Sequence, residues 1–148
     1  MSSYATESEA QTYFENRLHT EPWDEATSTN RNKALGQATK IIDRLSFSGD
    51  KADEDQELQF PRGTDTEIPQ DIKDACAEIA LALLDGVDPA LEFENVFMTS
   101  QGYGGIRSSF NREVKPPHVL AGVPSFIAWT YLQPYLRDTL NIELFRTS

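Results

Sequence analysis

The stretch from Leu58 to Gly86 constrains the fold more than any other part of the chain. Pro61 lacks a backbone donor and its ring clashes with a preceding helical turn, so Leu58, Gln59 and Phe60 form a bent, extended lead-in. Ile68-Pro69 then opens a helix, because the missing N–H of proline would be unpaired in a first turn anyway. Ile72, Ala75, Cys76, Ile79, Ala80, Leu83 and Leu84 recur at three- and four-residue steps and make a wide apolar stripe. Asp71, Asp74 and Glu78 are expected to face outward, the first two near the positive end of the helix dipole. Gly86 supplies the stop.

Two further helices precede this one. Thr6 and Glu9 have capping-box spacing, and Ala10, Tyr13, Phe14 and Leu18 follow at helical steps, predicting a helix that ends near His19, before Pro22. Trp23 is expected in the loop beyond, plugging the core. Asn30 is the expected N-cap of a second helix whose inward stripe is Leu35, Ala38, Ile41, Ile42 and Leu45. Lys33, Lys40 and Arg44 fall off that stripe and read as a solvated face. The acidic run from Asp50 to Glu57 invites a calcium reading, but Gly49 precedes it and breaks the EF-hand register, so a solvated loop is expected.

Asp88-Pro89 predicts one short helical turn through Phe93. From Asn95 to Val114 the periodicity changes. Val96-Phe97-Met98, the glycines at 102, 104 and 105, and the run from Ile106 to Val114 predict an extended hairpin or loop. Pro116-Pro117 breaks the chain, and a last helix is expected from Ser125 to about Arg137, with Phe126, Trp129, Leu132 and Leu136 on one face. The fold class expected is mainly α: a small helical bundle with an extended Gly-tipped hairpin or loop and a C-terminal helix plus arm. It is read as one domain, residues 1–148, divided into a helical-bundle core (4–94), the hairpin or loop (95–115), and the C-terminal helix and docking arm (116–148).

Composition narrows the function. The net charge of −11 is unevenly spread, with 21 acidic and 8 basic residues over 1–94 and 3 acidic and 5 basic over 95–148. The acidic part repels nucleic acid unless a basic face is segregated by the fold. No run approaches ~18 consecutive apolar residues, and the N-terminus lacks the basic start and apolar core of a signal peptide, so a chain made in the cytoplasm without a transmembrane helix is expected. Cys76 is the only cysteine and falls on an apolar stripe, where it reads as a small buried hydrophobe.

Nothing in the sequence sets up catalysis. His19 and His118 lie in different segments, neither with a Cys, Asp or Glu at metal-ligand spacing, and no zincin, hydrolase-elbow or Walker motif occurs. No enzyme, metal or cofactor is expected. Tyr103, Arg107, Phe110, Arg112 and Lys115 interleave aromatics with cations, as a base-stacking surface would, or as a hairpin with packed rings and solvated cations would. Leu140, Ile142, Leu144 and Phe145 make the last residues too apolar to be left in water, so they should dock on the chain's own domain or on another subunit.

One ordered set of residues carries a resemblance. Tyr4-Ala5 precedes the capped first helix with Tyr13-Phe14, then come Trp23, Ala34-Leu35 and Ala38-Thr39. Leu58-Gln59-Phe60-Pro61-Arg62, Ile68-Pro69, Lys73-Asp74-Ala75, Glu78-Ile79-Ala80-Leu81 and Leu84-Asp85-Gly86 follow. In that order they resemble the head–tail connector (adaptor, or head-completion) proteins of tailed bacteriophages, closely over residues 4–86 and loosely beyond. The resemblance implies a structural virion protein of the neck, between capsid and tail. Such a subunit forms a ring, typically a dodecamer, under the portal protein, extends the DNA channel, and presents a surface to the next tail or neck protein. Double-stranded DNA would pass without being held tightly, and no membrane is involved. Similar sequences also carry the label of DnaT-like single-stranded-DNA-binding proteins, which is the alternative reading. On the adaptor reading, Phe126, Trp129, Tyr131, Tyr135, Leu140, Ile142, Leu144 and Phe145 are the expected portal or partner interface. Tyr103, Arg107, Phe110, Arg112 and Lys115 would form a hairpin facing a neighbouring subunit or DNA.

Overall fold

The computed structural model describes residues 3–102 and 116–137, with backbone alone for 97–102. The first helix, α1 (Glu7–Phe14), opens as its sequence dictates: Thr6 Oγ1 accepts from the Glu9 amide at 3.1 Å, and the Glu9 carboxylate accepts from the Thr6 amide at 3.0 Å. It stops at Phe14 rather than near His19, because the chain turns there and His19 takes a left-handed backbone, φ 62°. Leu18, expected inward, is consequently exposed.

Trp23 is fully buried, as a core plug should be, but it sits in a short helix, α2 (Glu21–Glu25), and not in a loop. Pro22 occupies the first turn of that helix, where it costs no hydrogen bond. The next helix, α3 (Ser28–Asp43), begins earlier than expected. Thr27 is its N-cap and accepts from the Asn30 amide at 3.2 Å, so Asn30 lies inside the first turn.

After α3 the chain runs through the acidic loop, whose backbone is folded back on itself by a bridge between Lys51 and Arg62. The lead-in to α4 (Gln70–Leu84) tucks Phe60 into the core against Tyr4, Phe47 and Tyr135. Pro69 is the cap just before α4, and Gly86 closes its C-terminus with φ 90°. Residues 75–81 of α4 are all buried, a wider buried surface than the predicted stripe, and it includes Glu78. The expectation that Glu78 faces outward is therefore overturned: neighbouring helices cover that side of α4.

The helix α5 (Pro89–Gly102) is the largest departure from the sequence reading. Residues 95–102 are helical, continuing the turn that Asp88 caps by accepting from the amides of Ala90 and Leu91. A short apolar run such as Val96-Phe97-Met98 suits a strand or a helix equally, and the run continues a helix already nucleated. The rest of the expected hairpin, 103–115, lies outside the described residues. A four-residue turn of helix, α6 (Pro117–Leu120), follows the proline pair, and α7 (Phe126–Leu132) is capped by Ser125 as expected. It tightens into a 3₁₀ turn (Gln133–Tyr135), so the last helix is shorter than predicted.

The architecture is a mainly α bundle, and among the described residues its extended pairing is limited to isolated bridges. The central element is α4, packed mainly against α3 and α7 and also against α1 and α2. Trp23, Leu35, Ile42, Ile72, Ile79 and Leu132 meet in one core, each with almost no exposed surface. Val123 fills the corner before α7. The chain after the 3₁₀ turn is tied to the end of α3: the Arg137 amide donates to the Ser46 carbonyl at 3.0 Å, and Leu136 bridges to Phe47.

Candidate interface site

Two sides of α4 have opposite characters. On the side facing α1 and α7, the buried Glu78 carboxylate is held by Arg17, with Nε at 2.6 Å from one oxygen and an η nitrogen at 3.1 Å from the other. The Tyr13 hydroxyl donates to the same carboxylate and lies 3.3 Å from the Tyr131 hydroxyl of α7. Burial works against the Arg17 charge, but the Glu78 hydrogen bond and charge outweigh it, and the guanidinium is held even more firmly protonated than usual. Burial, and then the Glu78 carboxylate, push the Tyr13 hydroxyl well above its ordinary range. This network is a fully paired structural clasp, with the forked geometry that makes arginine–carboxylate pairs strong.

A second clasp joins the N-terminal residues to the lead-in. The Tyr4 hydroxyl donates to Asp43 and accepts from the Phe60 amide, while the Tyr4 amide donates to Thr39. Thr39 and Cys76 share the core beside it, 3.6 Å apart. Burial pushes the Cys76 thiol up to about 11, which removes thiolate character at neutral pH.

On the other side of α4 a cleft of about 630 Å³ opens between α3, the end of α4, α5 and α6. Ile41, Leu83, Phe93 and Leu120 give it an apolar floor, and Leu120 and Phe93 are 41% and 40% exposed. Lys40 and Arg44 form one wall, and Asp88 and Glu94 stand on the other. Lys33, Gln37, Lys40 and Arg44 share one outward face of α3, since steps of four, three and four return to the same side of a helix. The sequence reading took these cations as a solvated face; the fold gives Lys40 and Arg44 an apolar cleft to border.

The predicted interface residues divide. Phe126 is 62% exposed, with its ring edge-on to His118, and Ile127 beside it is exposed too. Phe126 therefore does not pack inward on a face with Leu132. Trp129 is half-buried against the core. Tyr131 is drawn into the Glu78 clasp, and Tyr135 bonds to Asp71 at 3.2 Å, so these two rings hold α7 in place. Leu140, Ile142, Leu144 and Phe145, and the set Tyr103, Arg107, Phe110, Arg112 and Lys115, lie outside the described residues.

Several described cations are already engaged. Arg31 pairs with Glu7 at 3.3 Å and lies over the Trp23 ring, Lys73 pairs with Glu9 at 2.6 Å, and Arg62 donates to carbonyls of the 47–49 turn. Among the described residues no group of three or more His, Cys, Asp or Glu side chains is arranged to hold a metal ion. None of the described helices is long and apolar enough to cross a membrane.

A family model described as "Putative DnaT-like ssDNA binding protein" matches residues 1–116. No curated protein and no solved structure matches the chain.

Proposed function

This chain belongs to the DnaT-like ssDNA-binding protein family, and from its exposed apolar surface and acidic bulk we propose that it is a non-catalytic virion adaptor. In this reading it forms a ring, typically a dodecamer, under the portal of a tailed bacteriophage, extends the DNA channel and links head to tail. One observation carries the proposal: a bundle with a complete core of its own still exposes Leu91, Phe93, Leu120, Phe126 and Ile127, with Phe93 and Leu120 lining one cleft. Clustered apolar surface beyond what a core absorbs marks a protein–protein contact. The apolar residues Leu140, Ile142, Leu144 and Phe145 add to it.

The charge distribution fits a channel through which DNA slides. An acidic surface gives phosphates nothing to displace counterions with, so passing duplex is not retained. The portal and the next neck protein would meet the mildly basic C-terminal part, and neighbouring copies the bundle itself. Deleting residues 138–148 should leave a folded helical protein, by circular dichroism, that no longer attaches to portal-bearing heads. Normal attachment of the truncated protein would remove the role assigned to the arm.

The family description favours a second reading, a single-stranded-DNA-binding module. Its residues would be Arg107, Arg112 and Lys115 with the α3 cations. It predicts a fluorescence-anisotropy signal on labelled oligonucleotide that weakens with salt, log K falling by about 0.7 per phosphate neutralised for each tenfold rise in salt. Absence of binding at low salt would dispose of it.

A further inference from the structure

The turn between α1 and α2 presents a feature that the bundle does not use. Leu18 is 79% exposed, the most exposed large apolar side chain among the described residues. It is not carried on a loose loop. Arg17, anchored in the Glu78 clasp, also donates to the carbonyls of Leu18 and His19, and His19 is held left-handed at φ 62°. A non-glycine residue in that region is strained, and such strain persists where surrounding structure enforces it and gathers at functional positions. The arginine of the buried ion pair thus also fixes the backbone of the turn that carries the exposed leucine as an apolar knob.

The knob has an acidic surround. Glu15, Glu21, Asp24 and Glu25 are exposed on the flanking residues, while the nearby cations are engaged elsewhere, Arg17 by Glu78 and Arg31 by Glu7 and the carbonyls of α2. The cleft on the far side of α3 has the complementary features: an apolar floor, and Lys40 and Arg44 along one wall. No residue of the turn lines that cleft. On the opposite wall, Asp88 caps α5 through one carboxylate oxygen and keeps its charge, so Asp88 and Glu94 are the acidic groups that an incoming carboxylate must avoid. At about 630 Å³ the cleft has room for a turn of chain and not merely one side chain.

We propose that the Leu18 turn of one copy seats in the α3–α5–α6 cleft of a second copy, with Glu21 and Glu25 against Lys40 and Arg44. Knob and cleft are different patches, so the contact is heterologous: each copy offers a knob to one neighbour and a cleft to the other. Repetition of such a contact gives a closed ring when the rotation per step divides a full turn. The inference rests on the ring-forming adaptor reading and specifies which surfaces would meet within it.

Disulfide trapping tests it on the full chain at high protein concentration under mild oxidation, with buried Cys76 left in place. Leu18→Cys and Leu120→Cys proteins, mixed, should give a mixed dimer at least tenfold faster than either protein alone. Lys40→Glu/Arg44→Glu in the Leu120→Cys partner should suppress the trap, and Glu21→Lys/Glu25→Lys in the Leu18→Cys partner should restore it. The double variant Leu18→Cys/Leu120→Cys should give a ladder that ends at one closed size. Equal rates for mixed and single proteins, or for a control cysteine at Thr29, would overturn the proposal, as would insensitivity to the charge reversals. If wild-type protein attaches to portal-bearing heads while the trap fails, this interface is wrong and the adaptor reading stands. If the trap succeeds and attachment fails, the reverse holds.

Discussion

The two sides of α4 solve the same problem differently. Toward α1 and α7, polar groups are buried and every one of them in the Glu78 clasp is paired. Toward α3, α5 and α6, apolar and charged groups stand beside one another around an open cleft. The first arrangement fixes how the last helix sits, because a buried carboxylate accepts few alternative geometries. The second leaves interaction capacity unspent. The clasp and the cleft thus lie on different sides of one helix, whose contact with α3 also carries much of the core.

The sharpest way to break that contrast is to open the clasp. Arg17→Met strands the Glu78 carboxylate in the core and should cost about 3–5 kcal/mol, read as a lower urea midpoint at unchanged slope. Adding Glu78→Leu should recover most of it, since two apolar groups of similar volume replace the pair. A loss below about 1 kcal/mol for Arg17→Met would mean that the clasp does not fasten the bundle.

Helix capping is expected to matter less. Thr27→Ala and Thr6→Ala should each cost about 1 kcal/mol by the same measurement. The pH response of the first helix follows from its carboxyls. The Lys73 ammonium holds the Glu9 carboxyl below its ordinary range, and Ser28, then Arg31 and Asn32, do the same for Glu7. Groups with lowered values contribute stability that is complete above the unfolded value of about 4.3 and fades as pH falls through the folded one. The melting temperature should therefore drop on acidification below that value, and Glu9→Gln should flatten the drop. An unchanged acid limb in Glu9→Gln would remove the Glu9–Lys73 pair from the account.

The smallest effect belongs to the cleft. Lys40→Ala and Arg44→Ala should move folding stability by no more than about 0.5 kcal/mol, because neither side chain has a hydrogen bond or ion pair among the described residues. A destabilisation matching that of the clasp variants would mean that the cleft is part of the scaffold after all.

What was legible in the sequence was local. The Thr6–Glu9 box, the Gly86 stop and the Ser125 cap are each decided within a few residues, and the chain obeys them. The stripe of α4 and the burial of Trp23 were readable because apolar periodicity reports a packed face. Other features misled for physical reasons. Asn30 was as good a cap as Thr27 by residue type, and the choice between them depends on where α3 must start in order to bury Ala34 and Leu35. Residues 95–102 carried no periodic signal, so their helical state follows from continuation of α5. The interface site was legible only in part: Phe126 was singled out and is exposed, but Leu18 was assigned to the core and the cleft was not foreseen.

Glu78 shows where the boundary lies. Its position on α4, opposite the apolar stripe, is a property of helical spacing and follows from the sequence alone. Its burial requires α1 and α7 to close over that side, bringing Arg17 and Tyr13 from 61 and 65 residues away and Tyr131 from the other end of the chain. The apolar stripes of the longer helices, the Thr6 and Ser125 caps, the acidic bulk and the apolar excess are written in the chain, because these depend on near neighbours. Which charges are buried, which leucine stands outside and where a cleft opens follow from the packing, because each depends on which distant surfaces exclude water from one another.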